Sequence, residues 1–327
     1  MNVVKKLAMT LLFPILMFLA MLVICALNPA CHVNGNFIFL DPDIVRQVFV
    51  TTCQSSCVAL AIWIQLKNGR FDFSGGASMI LAAIFAGTYG YQTRSPWVAL
   101  VVALVMGVVV SLGVAAIYVF GRLPIVIATI GVTLLYESLT YLVCGGNGVS
   151  SFYQDEKLPV FGHMPGALLP LIIALVTFLI YDQFTSEGRK GKVLSKNQAA
   201  GVNIGIAEKK NVFISYIFRG IIIGCAALIY VSQNIVSPQA SLSTAGVMFS
   251  YIVPVYMGMF IGMSSTDYIG IVAAAIGMAI MNYGLSCMNL AGSGWQQIIM
   301  GLFVLAFYTF EAKLDDLKAL FKKKKTA

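Results

Sequence analysis

Glu137 lies in an apolar run of the chain, and the one arginine in a comparable setting is Arg219. A charge in such a setting is costly and marks a site or a buried pair. A structural ion pair between Glu137 and Arg219 is the expectation here. Two alternatives stay open: Arg219 snorkels to the interface seven residues away, or Glu137 takes part in a proton or ion relay. Other reactive groups are sparse. His32 and His163 are isolated from each other and from any acid. An enzyme needs a clustered nucleophile, base or metal set, so enzymatic chemistry is not expected. Cys53 and Cys57 share a helix face, but thiols in an apolar run are usually small packing residues. The seven cysteines (25, 31, 53, 57, 144, 225 and 287) show no paired metal-ligand spacing. A bridge between Cys31 and Cys144 is left open. There is no G-x-x-x-x-G-K-[ST], so ATP would have to be bound by another chain.

Polar groups of a second kind sit at the ends of apolar runs or inside them. Phe71 to Gly76 reads FDFSGG. Asp72 or Ser74 can cap the helix that follows, and Gly75 and Gly76 permit close backbone approach. The segment is either a capped turn or a re-entrant corner near a cytoplasmic gate. Gln47, Thr51, Gln54 and Ser55 follow i, i+3, i+4 spacing. Such a stripe either lines a water-filled path or bonds to neighbouring helices. Pro254 lies in another apolar run and predicts a kink or a break. The most distinctive stretch is Gly188 to Asn203, GRKGKVLSKNQAAGVN. It is basic and polar, of the kind that lies in cytosol. Gln198, Ala199, Ala200, Gly201, Val202 and Asn203 are expected to form a short helix there, which Gly201 would end as a C-cap. A short helix held out to the cytosol is something an external ATPase could push.

The elements that position these groups are membrane helices. The chain has 327 residues, 59% hydrophobic and 10% charged, where a soluble domain carries about 25% charged residues. Thirty glycines suit close helix packing in lipid and not an outer-membrane barrel. The fold class expected is all-α, a polytopic transmembrane bundle of about ten spans. They are placed near 7–27, 44–66, 74–91, 96–120, 123–143, 167–181, 212–231, 246–263, 268–287 and 295–310. With the N-terminus inside, 17 of the 21 lysines and arginines fall in inner segments, as the positive-inside rule demands. Both termini are then cytoplasmic. Residues 1–327 are expected to form one membrane domain, with a cytoplasmic loop at about 182–211 and a basic tail at 311–327. The start MNVVKK with its long apolar run mimics a signal peptide, but a retained first span is expected. The Lys322 to Lys325 cluster fixes the tail inside and can meet anionic headgroups. Nucleic-acid binding is not needed to explain the net charge of +8.

Four regions, spanning about 45–310, resemble the permease subunits of ribose/galactose-type (monosaccharide) ABC importers. FDFSGG is similar to that family's I-D-L-S-x-G corner. Leu123 to Gly131 (LPIVIATIG) is similar to its P-F-I-A-T-L-G segment, followed by the pair Gly145-Gly146. Gly188 to Asn203 resembles its G-R-x-x-x-A-x-G-x-N-x-x-A-A loop. Ser293 to Gly301 (SGWQQIIMG) resembles its closing Y-W-Q-x-I-I-x-G. The chain departs from the pattern at Gly262 to Asp267, where a Gly-rich segment is usual, and at Gly75, where Val is common. The resemblance implies a plasma-membrane importer with two permease copies, identical or related, and two ATPase subunits. A solute-binding protein outside the membrane would feed it. ATP and magnesium would sit on the partner ATPase, no cofactor on this chain, and 197–203 would be the coupling helix. The other reading is a stand-alone secondary transporter that uses Glu137.

Overall fold

A computed structural model describes residues 3–33, 36–262 and 266–290, with 298, 301, 302, 305 and 309 beyond them. Among the described residues the regular structure is helical apart from a hairpin of two two-residue strands, β1 (His32–Val33) and β2 (Asn36–Phe37). Its helices are α1 (Val3–Leu27), α2 (Pro42–Lys67), α3 (Gly75–Gln92), α4 (Pro96–Gly121), α5 (Ile125–Thr140) and α6 (Ser151–Gln154). Then come α7 (Leu168–Leu179), α8 (Ser186–Lys196), α9 (Gln198–Asn203), α10 (Glu208–Gln233), α11 (Ser243–Gly262) and α12 (Asp267–Cys287).

Local chemistry sets several boundaries. Asp41 caps α2 by accepting from Asp43 N–H at 3.0 Å, and Pro42 follows it where no N–H is needed. Gly69, at φ +73°, turns the chain just past α2. Ser95 and Pro96 start α4 in the same way as Asp41 and Pro42. α7 runs through a π turn at Ile180–Phe184 and then bends by 72° into α8. Thr185 caps α8, accepting from Gly188 N–H at 3.1 Å. That bend turns a short apolar helix into a polar arm.

α10 is the central helix, packing on α4, α2, α3 and α7. Its approach to α4 is set by glycine. A Cβ on Gly107 would lie 2.3 Å from the Gly220 carbonyl and 2.7 Å from Gly224 N, the close backbone approach that small-xxx-small spacing permits. α11 and α12 meet likewise at Gly258 and Gly270. α1 packs on α12 and leaves Leu12, Ile15, Leu16, Leu19 and Val23 exposed. In a bilayer that apolar face is solvated by lipid tails.

The count of about ten spans is not reproduced. Among the described residues six helices are long and apolar enough to cross a membrane: α1, α2, α4, α10, α11 and α12. The bent α7–α8 pair would make seven. α5, at 16 residues, is a shorter apolar helix, and α3 carries too many small and polar residues to qualify. The span placed at 295–310, the SGWQQIIMG motif and the tail at 311–327 lie largely outside the described residues, as do Met263 to Ser265. All seven cysteines are free thiols, so Cys31 and Cys144 are not bridged. α11 passes through Pro254 without interruption, although the proline cannot donate to the Ser250 carbonyl.

Candidate functional site

The FDFSGG corner is built around Asp72. Its Oδ1 accepts from Ser74 N–H at 2.7 Å and from the Ser74 hydroxyl at 2.6 Å. This turn sets Ser74 at the start of α3. Arg219 of α10 reaches the same corner. One guanidinium nitrogen lies 3.1 Å from Asp72 Oδ2 and donates to Ser74 Oγ at 3.2 Å; the other donates to Ser111 Oγ of α4 at 3.0 Å. Arg219 is 2% exposed. It stands eleven residues, about 16 Å of helix, from the α10 N-terminus at Glu208. The corner therefore dips into the bundle and is more than a surface turn. Gly75 and Gly76 make room for it. A Cβ on Gly75 would lie 2.6 Å from Met248 Sδ, and one on Gly76 would lie 2.5 Å from the Thr244 carbonyl.

The expected Glu137–Arg219 pair does not form. Arg219 is taken by Asp72, and Glu137 faces α11 instead. Glu137 Oε1 accepts from Thr244 N–H at 2.8 Å and from the Thr244 hydroxyl at 2.6 Å, and Oε2 accepts from Leu242 N–H at 2.8 Å. A carboxylate there satisfies N–H groups that the first turn of a helix leaves unpaired and lies at the positive end of its dipole. The segment just ahead is strained, with Ser241 at φ +58° and Leu242 at φ +61°. One turn further along α5, Thr140 Oγ1 accepts from Gln239 N–H at 2.9 Å. The stretch from Gln239 to Thr244 is thus fastened along α5. No ion-coupling chemistry is needed to account for this acid.

The polar stripe of α2 divides. Gln54 is buried and donates to the Tyr251 hydroxyl of α11 at 2.9 Å. Thr51 donates to the Gln47 carbonyl at 3.0 Å and, like Ser55, is half-buried. Among the described residues, Gln54 alone of this stripe bonds to another helix. Pro254 is buried on α11 one turn from Tyr251. A cavity of about 420 Å³ near the start of α2 includes Gln47, Gln233 and His163 on its wall, but not Thr51 or Ser55.

The polar arm is held to the bundle at the C-terminal end of α2. Lys67 Nζ lies 2.6 Å from Asp182 and 3.0 Å from Asp267, and Lys192 lies 3.5 Å from Asp182. These pairs join α2, the π turn, α8 and α12. Asn68 exchanges bonds with the Tyr181 hydroxyl and packs where Gly191 leaves space. Glu187 pairs with Lys190 at 2.7 Å and accepts from Asn211 at 3.3 Å. Burial alone would raise the Glu187 pKa, but Lys190 and Asn211 outweigh it and hold the carboxyl below its ordinary value. α9 stands at the tip of the arm. Asn197 caps it, accepting from Ala200 N–H at 2.9 Å, and Gln198 is tied to Glu208 of α10. Ala199, Ala200, Val202, Asn203 and Ile204 are exposed. Gly201 does not end the helix: α9 runs on to Asn203, and the left-handed residue is Gly205, at φ +91°. Gly201 is buried against Leu194, whose Cδ2 would lie 2.7 Å from a Cβ there.

Six apolar helices of spanning length and a charge pair buried inside the bundle define a multi-pass membrane protein. The chain belongs to the family described as branched-chain amino acid transport system / permease component, whose model matches residues 45–308. It is similar to the ribose import permease RbsC of Bacillus subtilis (strain 168), 21% identical over 91% of each chain. The autoinducer 2 import permease LsrC of Enterobacter sp. (strain 638) is 26% identical over 66% of this chain and 63% of its own. The D-allose permease AlsC of Escherichia coli (strain K12) is 22% identical over 58% of this chain and 60% of its own. No solved structure matches. The resemblance to monosaccharide importer permeases therefore holds at the level of family and relatives.

Proposed function

We propose that this chain is the membrane-spanning permease of an ATP-driven importer for a monosaccharide or a related small polar solute. Family membership supports the permease role, and the ribose, D-allose and autoinducer 2 permeases among the relatives support the solute class. In this reading the chain lies in the cytoplasmic membrane with both termini inside. It works beside a second permease copy, takes solute from an extracytoplasmic binding protein and binds no nucleotide. About ten crossings would comprise the six long helices, α3, α5, α7 and the segment at 295–310.

The observation that carries the reading is the α8–α9 arm. α9 offers a small, exposed, partly apolar face at Ala199, Ala200, Val202 and Ile204, on a stem held to α2 by the half-buried Lys67–Asp182 pair and to α10 by a buried hydrogen bond from Asn211 to the Glu187 carbonyl. A push on α9 would reach the α2–α3 corner through Asn68 and the Gly191 contact, and so the Asp72–Arg219 pair. The test is Ala200→Glu. Ala200 is exposed, so a merely solvated loop accepts the charge with less than about 0.5 kcal/mol effect. A face that docks on an ATPase would have to bury it unpaired, which is costly. Normal insertion with loss of both ATPase copurification and uptake is expected; unchanged uptake would reject the coupling role.

A further inference from the structure

Arg70 is only 4% exposed, yet it has no carboxylate within ion-pair distance among the described residues. Its guanidinium donates to Ser215 Oγ at 3.1 Å and to Asn211 Oδ1 at 2.9 Å, both neutral. The other deeply buried arginine, Arg219, has Asp72 beside it. A buried charge without a counter-charge is costly. Arg70 lines a cavity of about 490 Å³ at the inner end of the bundle, together with Arg122, Lys209 and Glu208. Neither Arg122 nor Lys209 is in an ion pair among the described residues, while Glu208 already accepts from Gln198 and Tyr118. The cavity thus presents three unpaired cations against one acid that is already bonded.

We propose that this inner cavity binds an anionic, phosphate-bearing ligand, held by Arg70, Arg122 and Lys209. Arg70 supplies a guanidinium already positioned by Ser215 and Asn211, which suits a phosphate oxygen pair. Arg122 and Lys209 complete the charge from the α4–α5 turn and the start of α10. The volume lies in the range of small-molecule sites and exceeds what a bare phosphate needs. Gln198 of α9 is part of the wall, so occupancy would bear on the position of α9. That consequence rests on the coupling reading, while the binding itself does not. The same chemistry could come from a soluble phosphorylated metabolite or from an anionic lipid headgroup at the inner leaflet.

The experiment is thermal unfolding of the purified full-length chain in neutral detergent. Glucose 6-phosphate is titrated against glucose and against sodium chloride of equal ionic strength. A second arm uses bilayer discs of phosphatidylcholine with or without phosphatidylglycerol. Arg122 and Lys209 are exposed, so an Arg122→Ala/Lys209→Ala variant keeps the fold. The expected result is a saturable rise in Tm with glucose 6-phosphate, absent with glucose, and about tenfold or more weaker in that variant. A rise only with phosphatidylglycerol, lost in the variant, supports the site and assigns it to lipid. Equal responses of variant and parent, or no rise above the neutral and salt controls in either arm, would overturn the proposal.

Discussion

At the scale of single residues, two acids divide the work that one was expected to do. Asp72 neutralises Arg219, and Glu137 holds the first turn of α11. The two arrangements make opposite predictions. In Glu137→Gln an amide group must face either Leu242 N–H or the Thr244 groups, so at least one donor loses its acceptor. A loss of about 1–3 kcal/mol is expected, read as a lower melting temperature in detergent. Adding Arg219→Gln should deepen that loss, since the two residues share no bond. Asp72→Asn or Arg219→Gln alone should cost about 3–5 kcal/mol by stranding a buried charge. The Asp72→Asn/Arg219→Gln double variant should lose less than the sum of the two. Recovery of Glu137→Gln by Arg219→Gln would show that the pairing is wrong.

At the scale of helices, glycine decides which pairs approach. Gly107→Ala drives a methyl into the Gly220 carbonyl, with backbone on the facing side and no flexible side chain to yield. A cost of about 1–3 kcal/mol is expected. Gly131 of α5 has nothing within 4 Å of a Cβ. Gly131→Ala should be neutral or stabilising by up to about 1 kcal/mol, from helix propensity alone. Melting the two variants side by side checks this, and equal losses would contradict the α4–α10 packing. The helices themselves could be read from the chain, because long apolar runs declare them. Their partners could not. Asp72 was legible as a local turn residue, but nothing local says that its turn dips far enough to meet Arg219. The Gly75-Gly76 pair was the available hint, since only a buried α3 start needs both. The partner of Glu137 left no hint at all: it is the backbone of a segment turned by two left-handed non-glycine residues, Ser241 and Leu242. Gly201 misled in the other direction. Glycine near a helix end suggests a cap, whereas here it gives Leu194 room and Gly205 makes the turn.

For the whole molecule, charge and contact agree on which ends lie together. Arg94, assigned outside from the cation count, pairs with Asp155 of the loop that follows α5. Lys67, assigned inside, pairs with Asp182 at the end of α7 and Asp267 at the start of α12. Each pair joins segments on the same side only if the chain crosses an even number of times between them. In the proposed ten-crossing arrangement α3, α4, α5 and α7 make four crossings between Lys67 and Asp182, with α3 and α5 spanning although both are short or weakly apolar. If just one of these two failed to cross, the α8–α9 arm would lie on the opposite side from the C-terminal end of α2, and the Lys67–Asp182 pair could not form. Single cysteines at exposed Glu156 and Lys196 test this in intact cells, with Cys144 and Cys287 replaced by Ser. An impermeant thiol reagent should label position 156 and leave position 196 unreacted until the membrane is opened. Labelling of 196 from outside would place the polar arm, and with it the proposed coupling face, on the wrong side for any cytosolic ATPase.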